Sequence, residues 1–142
     1  MEQCRIYLSG GMSNLSFEEQ RKWRKQVQDA ILYGGYDYTI KPVFFDPTNY
    51  YTLEEPVHKS EREAFQFDLN ALRKSDLVVV NFNAPNSLGT AMELMLAYEL
   101  RIPIVGLNKN NVELHPWIIE CTTRICDDMY ELVDHLVDFY LN

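Results

Sequence analysis

Seven residues near the middle of the chain, Asp76–Phe82 (DLVVVNF), constrain the fold more than any other segment. This run is β-branched and apolar without polar alternation, so both of its faces must be buried. A strand covered on both faces belongs at the centre of a parallel sheet layered by helices. The flanking segments meet that demand. Cys4–Ser9 (CRIYLS) reads as a first strand ending in Gly10-Gly11. Ser16-Phe17-Glu18-Glu19 is a capping box that opens a helix to about Leu32, with Phe17, Trp23, Val27 and Ile31 as its inner face, and Gly34-Gly35 stops it. A second strand follows at Thr39–Phe45, where Pro42 implies a sheet edge or an interruption. Helices at Ser60–Lys74 and Leu88–Arg101 flank the central strand, and Ile102–Leu107 is a further strand. A short helix near Val112–Glu120, a brief strand at Thr123–Ile125 and a last helix from Asp127 or Asp128 complete the alternation. The expectation is an α/β fold: a Rossmann- or flavodoxin-like three-layer sandwich around a mainly parallel five-stranded sheet.

A chain of 142 residues fits one such core, so residues 1–142 are expected to form a single domain. Hydrophobic residues at 46% and charged residues at 24% are ordinary for a folded domain and argue against disorder. No run approaches the roughly 18 apolar residues that span a bilayer, and the start MEQCRIYLSGG lacks a secretory h-region. Thirteen basic against 21 acidic residues give a net charge of −8. The one dense basic cluster, Arg21, Lys22, Arg24 and Lys25, shares its helix with Glu18 and Glu19. Nucleic-acid polymers are therefore excluded as partners, whereas a small anion held by backbone amides is not. Three cysteines, Cys4, Cys121 and Cys126, form no disulfide framework and fit reduced thiols in the cytoplasm.

Ligands of parallel α/β sheets bind beyond the carboxyl ends of the strands, at the point where strand order reverses. That rule directs attention to Ser9–Asn14, Asp46–Lys59 and Phe82–Gly89. Two carboxylates stand in apolar places nearby. Glu93 is the only charge in LGTAMELMLAY, just over one turn from the helix start and after the small residues Gly89, Thr90 and Ala91. It reads either as a nucleophile in a partly dry pocket or as the wet stripe of a buried helix. Asp68 borders an apolar arc with Phe65 and Leu69, and reads as a general acid or as an acid paired with an amide or a base. Tyr7 either orients a carboxylate through its hydroxyl or fills the core.

Gly10-Gly11 fits a turn that offers amides to an anion or a sugar hydroxyl, yet no GxGxxG or Walker pattern accompanies it. His115, Cys121 and Cys126 lack zinc spacing, and no Ser/His/Asp triad can be placed. Phe44, Phe45, Tyr50 and Tyr51 are candidates to stack on a base, with two of them expected in the core, and His58 reads as solvated.

Three segments in this order, IYLSGGM (Ile6–Met12), DLNALRKSDLVVVNF (Asp68–Phe82) and SLGTAMELMLAY (Ser87–Tyr98), resemble the nucleoside 2-deoxyribosyltransferase family, which includes the 2'-deoxynucleoside 5'-phosphate N-hydrolases. The resemblance covers roughly the first 107 residues. It implies that Glu93 attacks the anomeric carbon, that Tyr7 holds Glu93, and that Asp68 exchanges a proton with the base or binds sugar hydroxyls. It further implies substrate contacts from Ser9, Gly10, Gly11, Met12, Ser87 and Gly89, with no metal and no organic cofactor. The scheme follows retaining glycosidases, whose two carboxyl groups lie ~5–5.5 Å apart. Cleavage or transfer at the N-glycosidic bond of a 2'-deoxynucleoside is the leading expectation. A 5'-monophosphate N-glycosidase is the alternative, since Ser87-Leu88-Gly89 suits a phosphate and many free-nucleoside transferases carry Asp there. Against that, the Gly10–Asn14 loop supplies no Arg. A non-catalytic nucleotide sensor is a third reading. So small a domain leaves its crevice to be completed by a second subunit, so a homo-oligomer, dimer or higher, is expected. Asn110, His115 and Trp117 are left without a role.

Overall fold

The strands pair in the order β2-β1-β3-β4-β5, all parallel. They are β1 (Gln3–Gly10), β2 (Lys41–Phe45), β3 (Leu77–Asn81), β4 (Ile104–Leu107) and β5 (Arg124–Cys126). Between them run α1 (Phe17–Tyr33), α2 (Glu61–Arg73), α3 (Leu88–Glu99) and α4 (Pro116–Cys121), and α5 (Met129–Tyr140) closes the chain. This architecture comes from a computed structural model that describes residues 2–12, 15–50 and 57–142. Asn14 and Tyr51, both parts of expected site loops, lie outside the described residues. The order of strands reverses between β1 and β3, which makes their carboxyl ends the switch point. Among the described residues no helix is long and apolar enough to cross a membrane.

Side-chain alternation along the strands builds two cores. Ile6 and Leu8 of β1, Val79 of β3 and Val105 of β4 face α1 and α5, where Trp23, Val27, Ile31, Leu132 and Leu136 cover them. Tyr7, Val78, Val80 and Ile104 face the other way, against Leu72 of α2 and Leu94 and Ala97 of α3. β3 is fully buried from Leu77 to Val80, as its apolar run requires. Pro42 sits in the edge strand β2. Lys41 N–H donates to Glu2 O across the ladder, so the alternate residue Pro42 faces the open edge, where a missing N–H costs nothing.

The helix boundaries follow their caps. Ser16 and Glu19 form the reciprocal capping box of α1, and Gly35 takes a left-handed φ of 82° just beyond its end. Several expected boundaries move, among them β4, which starts at Ile104 rather than Ile102, and β5, which runs from Arg124 to Cys126 rather than from Thr123 to Ile125. Thr39 and Ile40 lie outside β2, because their N–H groups donate to Leu141 O at the end of α5. α3 stops at Glu99, and Arg101 turns the chain with φ 59°. The expected helix near Val112–Glu120 starts only at Pro116, since Asn108 clamps Val112 through two side-chain hydrogen bonds of 3.0 Å into an irregular loop.

Gly106 of β4 passes close under the buried ring of Phe82; a Cβ there would lie 2.4 Å from Cε2. Gly106→Ala is therefore expected to cost about 1–3 kcal/mol in urea denaturation. Gly89→Ala, whose Cβ would meet open space, is expected to keep or raise stability. An unchanged midpoint for Gly106→Ala would show that the ring moves aside freely.

Candidate active site

The carboxyl end of β1 supplies the site because its alternation places Tyr7 and Ser9 on the face that α3 covers. Both side chains meet Glu93. Tyr7 Oη donates to Glu93 Oε2, and Ser9 Oγ donates to Oε1 at 3.0 Å. Each oxygen of one carboxylate thus accepts from a different side chain of a single strand. Glu93 lies one turn beyond Gly89 on α3, and side chains of a helix lean towards its N-terminus. Its carboxylate consequently reaches back into the crevice between α3 and β1.

Across that crevice stands α2. Glu61, Ala64, Phe65, Asp68 and Leu69, spaced as one helical face, line a pocket of about 680 Å³. Tyr7, Gly10, Met12 and Glu93 line it from the sheet side, and Ala84–Thr90 form its rim. The volume falls within the ~300–1,000 Å³ typical of small-molecule sites. The structure brings Tyr7, Asp68, Glu93, Gly10, Met12, Ser87 and Gly89 to one pocket. Ser9 reaches it through Glu93. Gly11 differs: it packs against the loop after β3, where an added Cβ would lie 2.3 Å from Ala84 Cβ. Neither Gly10 nor Gly11 adopts positive φ, and an added Cβ at Gly10 would lie 3.0 Å from the Trp23 ring, so the lack of a side chain at both positions permits close approach.

Burial governs the chemistry of these groups. It pushes the Glu93 carboxyl up to about 7, and nearby Asp68 adds to that, against the lowering by the Tyr7 and Ser9 hydrogen bonds and by Arg24. Burial, reinforced by the Glu93 charge, raises the Tyr7 phenol far above its ordinary value, so it remains a donor. Ser87 caps α3 by accepting from Thr90 N–H at 3.3 Å, and Thr90 Oγ1 donates to Ser87 Oγ at 3.1 Å.

Sequence reading missed Arg24. It belongs to no solvated cluster: it is buried to 1% exposure and lines the pocket. Its Nε donates to Leu8 O at 3.2 Å, Nη2 to Gly10 O at 3.3 Å and Nη1 to Gln20 O. Asp46, just after β2, stands 4.0 Å away and accepts from Gln28 and Thr48. A signal was available, because Arg24 falls three residues before Val27 and seven before Ile31, on the buried face of α1. The aromatic expectation also changes. Phe45 stacks on Tyr7 at 5.3 Å and on Tyr50 at 5.4 Å, while Phe44 packs on the α1/α5 core. His58 is not solvated; its ring packs against Phe67 and Tyr50. His115 caps α4 through Nδ1, and Trp117 beside it is exposed. Among the described residues no group of three His, Cys, Asp or Glu could hold a metal ion.

A parallel sheet with a half-buried carboxylate held by two hydroxyls at its switch point is an α/β architecture whose crevice suits a small ligand. The sequence profile of the nucleoside 2-deoxyribosyltransferases matches residues 6–136, and the chain belongs to that family. It is accordingly an enzyme of glycosyl transfer or hydrolysis. Solved structures share the fold. A conserved protein from Enterococcus faecalis is 18% identical, with 93% of this chain and 96% of that one covered at a TM-score of 0.69. A 2-deoxyribosyltransferase from Bacillus psychrosaccharolyticus is 20% identical over 92% of this chain and 91% of that one, also at 0.69. A CMP N-glycosidase from Clostridium botulinum is 19% identical over 96% and 99%, at 0.56. A comparison with curated protein sequences gives no match.

The raised Glu93 carboxyl has a consequence for stability. Its contribution is complete below the ordinary 4.5 and is lost as pH rises through about 7, because the folded protein must then ionise it against burial. Glu93→Gln removes that penalty. Relative to wild type, the variant is expected to be more stable at pH 8 than at pH 4 by about 1–3 kcal/mol in denaturant titrations. Parallel stability–pH curves for the two proteins would contradict the assignment.

Proposed function

We propose that the whole chain acts as one domain that cleaves or transfers at the N-glycosidic bond of a 2'-deoxynucleoside through a covalent glycosyl–Glu93 intermediate. The observation that carries this reading is the paired grip of Tyr7 and Ser9 on Glu93 inside the pocket. Both hydroxyls stabilise the ionised carboxylate and aim it, which a nucleophile needs. One Glu93 oxygen attacks the anomeric carbon. The carbon–nitrogen bond breaks, its electron pair leaves with the base, and Asp68 delivers a proton to that base. Water or a second base then attacks the same carbon, freeing Glu93 and returning a proton to Asp68. Two displacements on one carbon retain its configuration. The steps need no metal or organic cofactor.

The charge of the pocket favours a free nucleoside. Among the described lining residues, Glu61, Asp68 and Glu93 face a single cation, Arg24, which already serves Asp46 and three carbonyls. A 5'-monophosphate as substrate is the second reading, and it rests on Ser87 and the open space above Gly89 at the start of α3. The solvent face of α3 carries Leu88, Met92, Met95 and Tyr98, all exposed and continuous with the pocket wall. A second copy of the chain covering this stripe would complete the pocket, so the active species is a dimer or larger. Cys4, Cys121 and Cys126 are free thiols, in keeping with a cytoplasmic enzyme.

Incubation with deoxynucleosides and deoxynucleoside monophosphates, with and without an acceptor base, is expected to release free base and to form new nucleoside when acceptor is present. Glu93→Ala is expected to lower the rate more than about 1,000-fold. Binding without base release would leave a sensor instead, and inversion at the anomeric carbon would rule out the covalent route. Sedimentation of the active enzyme is expected to show a dimer or larger, and a fully active monomer would refute the shared pocket.

A further inference from the structure

A buried arginine is costly unless its charge is met, and the acceptors around Arg24 show what it is for. Lys41 N–H donates to Glu2 O, and β1 and β2 stay in that register through Tyr7 and Phe45. Continued in steps of two, the register sets residue 47 opposite Leu8 O, but residue 47 is proline and has no N–H. β2 has already ended at Phe45, leaving the carbonyls of Leu8 and Gly10 beyond its reach. The forked guanidinium of Arg24 binds both, one on each side of Ser9. It thereby fixes the backbone that carries both hydroxyl donors to Glu93.

We propose that Arg24 and Asp46 form a positioning pair that holds the end of β1 and sets the ionisation of Glu93. The inference rests on Glu93 being the reacting group. The groups that face Glu93 are Tyr7 and Ser9 from β1, Asp68 from α2 and Arg24 from α1, and Glu61 lines the same pocket. Asp46 faces Arg24 and is itself held by Gln28 and Thr48. Guanidinium keeps its charge in proteins. It is the one positive charge acting on Glu93 in this set, and it opposes both burial and Asp68. Asp46 tempers it at 4.0 Å.

The two partners therefore act on Glu93 with opposite sign. Arg24→Met removes the positive charge and is expected to raise the Glu93 titration midpoint by roughly 0.5–1 unit. Asp46→Asn removes the negative charge while its amide oxygen can still accept from Thr48, although its amide nitrogen cannot accept from Gln28, and is expected to lower it. Arg24→Lys retains the charge without the fork. It is expected to restore the midpoint but not kcat, since an ammonium cannot span both carbonyls. The midpoint is read by ¹³C NMR of the glutamate carboxyls, with the Glu93 signal identified by its loss in Glu93→Gln. This readout needs no turnover. The acid limb of kcat/KM should move with it.

Opposite shifts in Arg24→Met and Asp46→Asn support the pair. No shift, or shifts of one sign, would mean that Arg24 only packs the strand end, and the proposal falls. Should Arg24→Met not fold, Asp46→Asn and Arg24→Lys decide in the same way. Opposite shifts with no base released from any substrate would leave the pair intact and overturn the catalytic reading alone.

Discussion

A carboxylate taken out of bulk water must be compensated, and at Glu93 the compensation comes from one strand. Residues two apart on a strand point the same way, so Tyr7 and Ser9 deliver a phenol and a hydroxyl to the two oxygens of the same group. The arrangement needs α3 packed on that face of β1, which the small residue Ala97 and the buried Leu94 allow. It also needs β1 beside β3 at the point where strand order reverses, so that a crevice opens over the strand ends. Position and chemistry share one cause. The topology that opens the pocket also turns the two hydroxyls into it.

Compensation at Glu93 is incomplete. Hydrogen bonds from Tyr7 and Ser9 pull its carboxyl down, yet burial still holds it at about 7. A carboxylate so placed is a better nucleophile than a fully solvated one, because it carries fewer stabilising contacts to give up on attack. Tyr7 cannot relieve the balance by ionising, since burial and Glu93 both keep its proton on. Its ring is fixed from behind by Phe45, which in turn stacks on Tyr50. The aromatic residues in and after β2 that looked like a platform for a base thus include, in Phe45, the support of the tyrosine that holds the carboxylate.

Most of the fold was legible because buried parallel strands have few alternatives. DLVVVNF admits no solvent face, Pro42 marks an edge, and Ser16 with Glu19 announces a helix start. The pocket residues Tyr7, Asp68 and Glu93 were legible through their motif order, and their shared pocket follows from the sheet. Arg24 was hidden by its neighbours. Arg21, Lys22 and Lys25 are a charged run, and such runs ordinarily sit in water. Its partners are mostly carbonyls, which leave no mark in a sequence. The loop at Val112 was misread for a similar reason, as a single asparagine, Asn108, outweighs the helical pattern there.

Pro47 ties these observations together. A proline after β2 ends the ladder on one side of β1, while β3 continues its pairing on the other as far as Gly10 and Asn81. Were β2 to run on, its next residues would pair with Leu8 and Gly10, and the space where Pro47 lines the pocket would close. Ending it early opens the site but strands two carbonyls at the strand end that carries Tyr7 and Ser9. An N–H donor from a neighbouring strand is unavailable there, so a side chain must reach in from a helix. Only a long side chain with several donors in a fixed fork can serve both carbonyls at once, and arginine is the residue with that geometry. Its charge then comes with it into a pocket lined by carboxylates. What closes a gap in backbone hydrogen bonding also supplies the counter-charge to Glu93, so the strand ending and the electrostatics of the site are a single structural choice.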